Sequence, residues 1–563
     1  MTVSPAGPQQ GSSPTPGADS AGFRINSPAM SQASALPFPR ALFARAKKAR
    51  RDQRAQGPAV PMAAAPERSP GRKLLLAGVA ILLFFFGQRL QNPQPWSYDE
   101  YYHVGIAREM ATSGIRMQSF RWTPFSISYD HYADATPLFH ILLMPFSRLP
   151  LQTATMIGVL LGQIFLVGAF AAALWLARAP RPWWFVLGLG GLGTLFAQRM
   201  EMCRPHVWLI GFTVLVAALL VERRWKALFV ACALFALTHA GAWIAIPLAL
   251  LWAFSGLAVK EEQSQGPRVP WQPVAIAAGG WLLGQLLNPD VPENFRVFVM
   301  TNFVIPFQAT AAGNAALHSQ LGTELSPPGL NLLLEQWPAF IAPVIVALAL
   351  IFRPRLRTRA TLTVGLTSIA FLLAGSFAIR RFLELGAPLA LFALALVARE
   401  WRDRGLPSPF PGRERTLAAL AIVAGIFWTF FALKSHGVPE ASAPLGMAAW
   451  MGEHGKAGER VFTAQWGDSA PLLYFAPQLQ SLVALDPTAF AMKNPALFET
   501  YVRVVSGQDA DPARTIREKF GARWLTIPPA LYPQLFQRIA HSPGAQALYG
   551  DESYYVVDLG EVH

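Results

Sequence analysis

Charge and cysteine are both scarce in this chain. Only 14% of its 563 residues are charged while 53% are hydrophobic, against roughly 25% charged in a soluble domain, and that balance argues against a water-soluble globule. The two cysteines, Cys203 and Cys232, fall inside or beside apolar segments, and the long polar regions have none. A disulfide framework is therefore excluded, and neither cysteine has the spacing of a zinc site. The net charge of +14 would by itself suit a nucleic-acid binder. Its distribution does not. Residues 1–73 hold eleven Lys or Arg against three Asp or Glu, and the remaining excess clusters between apolar runs, as in a protein inserted in a membrane. No nucleic-acid partner is expected.

Residues 1–72 are rich in Pro, Ser, Gly, Ala and Gln, with a basic stretch from Arg45 to Arg54 and no sustained apolar periodicity. Such a segment cannot bury enough surface to fold, so a disordered basic cytoplasmic tail is predicted. Apolar segments follow near 73–90, 152–177, 183–198, 206–221, 227–254, 274–287, 337–352, 360–376, 383–398 and 416–433. The 227–254 stretch is long enough for two short helices turning at His239-Ala240-Gly241, which brings the expectation to about 11 spans over residues 73–434. With the N-terminus inside, the loops on the cytosolic side are Arg178–Arg181, Glu222–Lys226, Lys260–Arg268, Arg353–Arg359 and Arg399–Arg415, the most basic short loops of the chain. The positive-inside rule then places the C-terminus outside. A bacterial inner membrane is the expected location. Three sizeable pieces fall on the outer, periplasmic side: a first loop over 91–150, a second over 288–336, and the tail 435–563.

The first outer loop opens with Trp96-Ser97-Tyr98-Asp99-Glu100-Tyr101-Tyr102-His103. Asp99 reads as the cap or first turn of a helix that Gly114 stops. On it His103 lies four residues after Asp99 and three after Glu100, so the three share one face. A carboxylate at a membrane surface, walled by Trp96, Tyr98, Tyr101 and Tyr102, is partly desolvated and suited to act as general base on an incoming hydroxyl. Asp99, Glu100 and His103 are equally candidates to hold a divalent cation such as Mg or Mn. The alternative is a juxtamembrane cap and an aromatic belt.

An acidic pair directly after the first membrane helix, followed by an aromatic, His-containing helix, resembles the first outer loop of the GT-C superfamily of glycosyltransferases. That superfamily includes protein O-mannosyltransferases and aminoarabinose transferases, polytopic enzymes that use polyprenyl-phosphate-linked sugars. The resemblance covers about 60 residues from Trp96. It implies that Asp99 is the catalytic base, with Glu100 matching the second acid. The order DEYYH differs from the oligosaccharyltransferase motif, and no WWDYG-type acceptor motif occurs in the tail.

Further candidates for substrate binding are Tyr102 and the cluster Asp130, His131 and Asp134, which turn chemistry explains as well; His140, in an apolar run, reads as a packing histidine. Arg199, Arg204, Arg380 and Arg381 sit at the outer ends of spans, against the usual charge bias. A carrier phosphate would give them a reason, since guanidinium groups grip phosphate oxygens bidentately, and local ion pairs with Glu201 or Glu384 are the alternative. His239 is placed to line the same cavity or to cap its turn. In the tail, RVFTAQ, SLVAL, ARWLTI and YYVVDL read as strands and NPALFETYVRVV, PARTIREKF and PALYPQLFQRIA as helices, which predicts a periplasmic α/β domain; Trp466, Asp468 and Asp486 lie in turns that an acceptor could touch.

The fold class is thus mostly α, a polytopic bundle of GT-C type with a C-terminal α/β domain. The function predicted is transfer of a sugar from a polyprenyl-phosphate-linked donor to a lipid, glycan or protein acceptor, with membrane lipids around it. A transporter or flippase of lipid-linked intermediates and a non-catalytic membrane assembly protein for cell-envelope glycans are the rivals. The chain shows no internal repeat of the kind transporters carry.

Overall fold

The computed structural model describes residues 70–117, 119–259, 270–305, 323–408, 410–435, 440–483 and 487–561. Residues 1–69 of the expected tail, the whole Lys260–Arg268 loop and Asp486 therefore lie outside the described residues.

Every apolar run of the sequence becomes helical. The elements that position the site are α1 (Pro70–Gln91), α2 (Tyr98–Ser113), α3 (Pro137–Leu143), α4 (Leu151–Leu176), α5 (Thr194–Met200), α6 (His206–Val221), α7 (Arg359–Phe377) and α8 (Arg381–Asp403). Six described helices are long and apolar enough to cross a membrane: Gly71–Gln91, Leu151–Leu176, Ala240–Ala258, Arg359–Phe377, Arg381–Asp403 and Glu414–Lys434. At 1.5 Å per residue, a helix the length of α4 reaches about 39 Å, beyond the roughly 30 Å of a hydrocarbon core. The other expected spans are shorter. The 183–198 segment is corrected from one helix to two, Pro182–Gly188 and α5, because the run Leu187-Gly188-Leu189-Gly190-Gly191-Leu192-Gly193 interrupts it. Gly193 has φ +94, a conformation open to glycine, and a Cβ on Gly191 would stand 3.1 Å from the backbone of Gly425.

Helix α8 is the axis of the bundle, with 78% of its most apolar stretch buried, whereas the first and last long helices turn most of theirs outward, with 28% and 22% buried. On α1 the inner face is Ala77, Ile81 and Phe85, and Leu75, Leu76, Val79 and Leu83 face out, as a lipid-facing helix requires. Close approach of α7 and α8 depends on small residues: a Cβ on Gly375 would meet the Leu383 backbone N at 2.6 Å.

The two ends of the bundle differ in chemistry. At one end, Arg399 at the finish of α8 donates to the Ala177 carbonyl at 3.1 Å and pairs with Glu222 at 2.7 Å, while Arg402 donates to the Arg178 carbonyl at 3.3 Å. The guanidinium of Arg353 lies over the Trp401 ring. Four of the basic loops thus meet at the end opposite to the junction of α1 and α2.

The tail forms a five-stranded sheet from β1 (Arg460–Thr463), β2 (Gln480–Ser481), β3 (Trp524–Ile527), β4 (Gln546–Gly550) and β5 (Tyr555–Asp558), in the order β2-β1-β3-β5-β4. The pairs β1/β2 and β1/β3 are parallel, whereas β3/β5 and β4/β5 are antiparallel with a bulge between Ala547 and Tyr549. The edge strand β4 escaped the sequence reading because its side chains are mostly exposed and show no buried alternation. This sheet unit does not stand apart from the loop over 91–150. The backbone N–H of Ser481 donates to the Trp122 carbonyl at 2.7 Å, the Trp122 indole N–H to the Pro477 carbonyl at 2.8 Å, and the Tyr101 hydroxyl to the Ala441 carbonyl at 2.7 Å. Phe125 inserts beside Phe490 and Phe520. Helix α2 is therefore clamped between the membrane bundle and the sheet.

Candidate active site

Helix α2 starts at Ser97, whose backbone is extended, and ends at Gly114 with φ +97. Its first turn carries both acids, where the helix dipole favours negative charge. Successive residues on a helix point about 100° apart, and here that separates their fates.

Glu100 turns inward. Its carboxylate is fully buried, pairs with the equally buried Arg89 at 3.1 Å, and accepts from the backbone N–H groups of Cys203 at 2.9 Å and Trp96 at 3.3 Å. Arg89 also donates to the carbonyls of Asn92 and Gln94. The knot ties the end of α1, the start of α2 and the turn after α5. Burial pushes the Glu100 carboxyl up, opposed by Arg89 and the two N–H donors. The expected catalytic or metal-binding part for Glu100 is corrected accordingly, because no oxygen of it reaches open space. Glu100→Ala should cost about 3–5 kcal/mol by leaving Arg89 buried without its counter-charge. Denaturant unfolding of the purified protein measures this, and an unchanged midpoint would show the pair to be dispensable.

Asp99 turns the other way, onto Arg204, and keeps about a quarter of its side chain exposed. From there an ion network runs across the ends of three helices on the α2 side of the bundle. Arg204 reaches Glu324 at 2.9 Å; Arg199 reaches Glu324 at 2.9 Å and Glu384 at 2.6 Å; Arg381 reaches Glu324 at 2.6 Å. Three guanidinium groups, from α5, the turn before α6 and the start of α8, thus converge on one carboxylate. Burial would raise the Glu324 carboxyl, but Arg199, Arg204 and Arg381 hold it well below the usual range. The segment bearing Glu324 is fastened to α8 by the Arg380 backbone N–H, which donates to the Ser326 carbonyl at 3.2 Å.

A second buried chain starts one turn along α2. His103 Nδ1 lies 2.7 Å from His140 Nε2, and His140 Nδ1 lies 2.6 Å from an Asp134 oxygen. The other Asp134 oxygen accepts from the Thr136 backbone N–H at 2.9 Å, and Asn288 donates to the Asp134 carbonyl at 3.0 Å. Tyr102 packs its ring against His103 and His140, with its hydroxyl 3.4 Å from that of Tyr132. Burial holds His103 well below its ordinary value, and the charge of Arg204 adds to the effect.

Of the sequence candidates, Asp99, His103, Tyr102, Asp134, Arg199, Arg204 and Arg381 lie in these two linked groups. His239 borders them: its Nδ1 accepts from the Gly241 N–H at 2.8 Å, so it caps its turn, and its ring stands edge-on to His206. Asp130 and His131 are corrected, since both face elsewhere. Lys493 holds Asp130 at 2.7 Å at the seam with the sheet unit, and His131 is 3.4 Å from Glu293 on the surface. Asp468 is also corrected as an acceptor contact, being fully buried under the Tyr554 hydroxyl at 2.8 Å. Asp99, Glu100 and His103 diverge, and among the described residues no three His, Cys, Asp or Glu side chains converge on a point where a metal ion would sit. The residues present do not fit a divalent cation held by that trio. Glu324, Glu384, Arg89 and His140 were not singled out as site residues. For Glu324 the signal was its isolation, as the one acid between Glu293 and Glu335.

No protein-family model and no curated protein matches the chain. Among solved structures it is similar to ArnT from Cupriavidus metallidurans bound to undecaprenyl phosphate, with 16% identity and a TM-score of 0.49 over 86% of this chain and 98% of that one. It is likewise similar to the arabinofuranosyltransferase AftD from Mycobacteria, with 16% identity and a TM-score of 0.49 over 87% of this chain and 41% of that one. At 16% identity the chemistry has to be read from this chain's own side chains.

Proposed function

We propose that the protein is a membrane glycosyltransferase that moves a sugar from a polyprenyl-phosphate-linked donor to the hydroxyl of an acceptor, at the end of the bundle that carries α2. The observation that carries this reading is the convergence of Arg199, Arg204 and Arg381 on a single carboxylate beside Asp99. A carboxylate and a phosphate monoester offer guanidinium groups the same bidentate oxygen edge. The position that Glu324 takes among the arginines is therefore one where a carrier phosphate can be bound and its developing charge stabilised.

In the reaction the acceptor oxygen attacks the anomeric carbon. The bond between that carbon and the phosphate oxygen breaks, and its electron pair leaves with the phosphate into the field of the arginines. The acceptor proton passes to Asp99, whose exposed carboxylate edge is the open face of the Asp99–Arg204 pair. Inversion at the anomeric carbon is what the GT-C resemblance implies. The gathering of the basic loops at the far end supports a cytoplasmic placement of that end in a bacterial inner membrane, with α2 and the sheet unit in the periplasm.

The test is incubation of the purified full-length protein, with and without divalent cation, with a polyprenyl-phosphate sugar labelled in the sugar. Appearance of label on an acceptor together with free carrier phosphate supports the proposal. Movement of intact donor across a vesicle membrane without cleavage would overturn it in favour of a transporter.

A further inference from the structure

The buried chain from Asp134 through His140 to His103 has a polarity that its end group and the charge on His140 set together. A carboxylate oxygen can only accept, so His140 Nδ1 carries the proton between them. With His140 in its neutral form, its Nε2 has a lone pair, which accepts from His103 Nδ1. His103 is left with its lone pair on Nε2, at the opposite edge of the ring. The Asp134 carboxylate is held for this by the Thr136 N–H at 2.9 Å, and its own N–H is bound by Asp290 at 2.8 Å. All three members are buried, His140 completely, so water does not scramble the order. The groups around the His103 ring are Tyr102 on α2, Phe139 and His140 on α3, and Arg204 and His239 from the bundle.

We propose that Asp134 and His140 are positioning residues that fix His103 with Nε2 as a hydrogen-bond acceptor, aimed at a hydroxyl group of the substrate one helical turn from Asp99. This rests on the glycosyl-transfer reading of the site. The hydroxyl belongs either to the donor sugar or to the acceptor. His103 orients it, and Asp99 remains the group that takes the acceptor proton.

The substitution Asp134→Asn tests the idea because it is isosteric and reverses the chain. The amide oxygen keeps the Thr136 N–H, while the amide NH₂ faces His140 Nδ1 and donates to it. His140 then donates from Nε2, and His103 Nε2 becomes a donor. In full-length protein labelled with ¹⁵N-histidine in nanodiscs, with His103→Gln used to assign the signal, wild type should show the His103 lone pair on Nε2 and Asp134→Asn should show it on Nδ1. Sugar transfer by Asp134→Asn should fall on the order of 10²- to 10⁴-fold, as expected when a catalytic-site histidine is held in the wrong tautomer, with an unfolding midpoint like that of wild type.

A loss confined to kcat for transfer, with donor hydrolysis by water retained, assigns the hydroxyl to the acceptor. A raised KM for donor in both reactions assigns it to the donor sugar. A wild-type His103 with its proton on Nε2, or transfer unaltered in Asp134→Asn, overturns the proposal. The NMR result stands whether or not the donor offered is turned over, so its failure is separable from failure of the glycosyl-transfer reading.

Discussion

Asp99→Asn should abolish sugar transfer while leaving the protein folded, with a fall on the order of 10²- to 10⁴-fold, the range that loss of a positioned general base produces. The expectation follows from the division of labour in the first turn of α2. Glu100 carries the structural load through Arg89 and the Cys203 and Trp96 N–H groups, so Asp99 can be changed without loosening the knot. The amide keeps the size of the side chain and can still accept from Arg204, but it cannot take a proton from a hydroxyl. Single-turnover cleavage of labelled donor, alongside an unfolding curve, reads both halves. Transfer at the wild-type rate would remove Asp99 from the chemistry.

Arg204→Ala should cost on the order of 10²- to 10³-fold, the scale seen when a donor to developing negative charge is removed. Arg204 is the member of the network that touches both Asp99 and Glu324, so its loss weakens the hold on a leaving phosphate and frees the Asp99 carboxylate from its orientation. Lysine would keep the charge but cannot form the two-pronged contact, and Arg204→Lys should recover only part of the rate. Steady-state kinetics with varied donor distinguishes the two effects, a raised KM reporting the phosphate and a lowered kcat the carboxylate. Equal activity in Arg204→Ala and wild type would reduce the network to an ornament of the fold.

Much of the helical framework was legible in the sequence because apolar length is a strong signal: every apolar run is helical, and Gly114 stops α2 where its type predicts. The glycine run inside 183–198 was visible, whereas the close approach of Gly191 to Gly425 that uses it across the bundle was not. In the site, Arg199, Arg204 and Arg381 stood out because the expected topology set them against the charge bias of membrane loops, and Asp99 by its neighbours. Their common partner did not. Glu324 is about 120 residues from Arg204 and sits in no periodic segment, so its isolation as an acid was the one local sign and did not point to the arginines. The sequence also offered Arg381 with Glu384 as a neighbouring pair, whereas α8 turns Glu384 inward to Arg199. His140 looked like a packing residue for a sound reason, its apolar surroundings; those same surroundings protect the bonds to His103 and Asp134.

Binding of polyprenyl monophosphate to the full-length protein in nanodiscs, measured beside the uncharged polyprenol of equal length, probes the arginine cluster without depending on the unknown sugar or acceptor. Wild type should bind the monophosphate at least about tenfold more tightly than the alcohol, a difference of roughly 1.4 kcal/mol, and Arg204→Ala should lose most of that preference. Equal affinity for the two lipids would contradict an anion seat formed by Arg199, Arg204 and Arg381, and with it the assignment of a phosphate leaving group to this site.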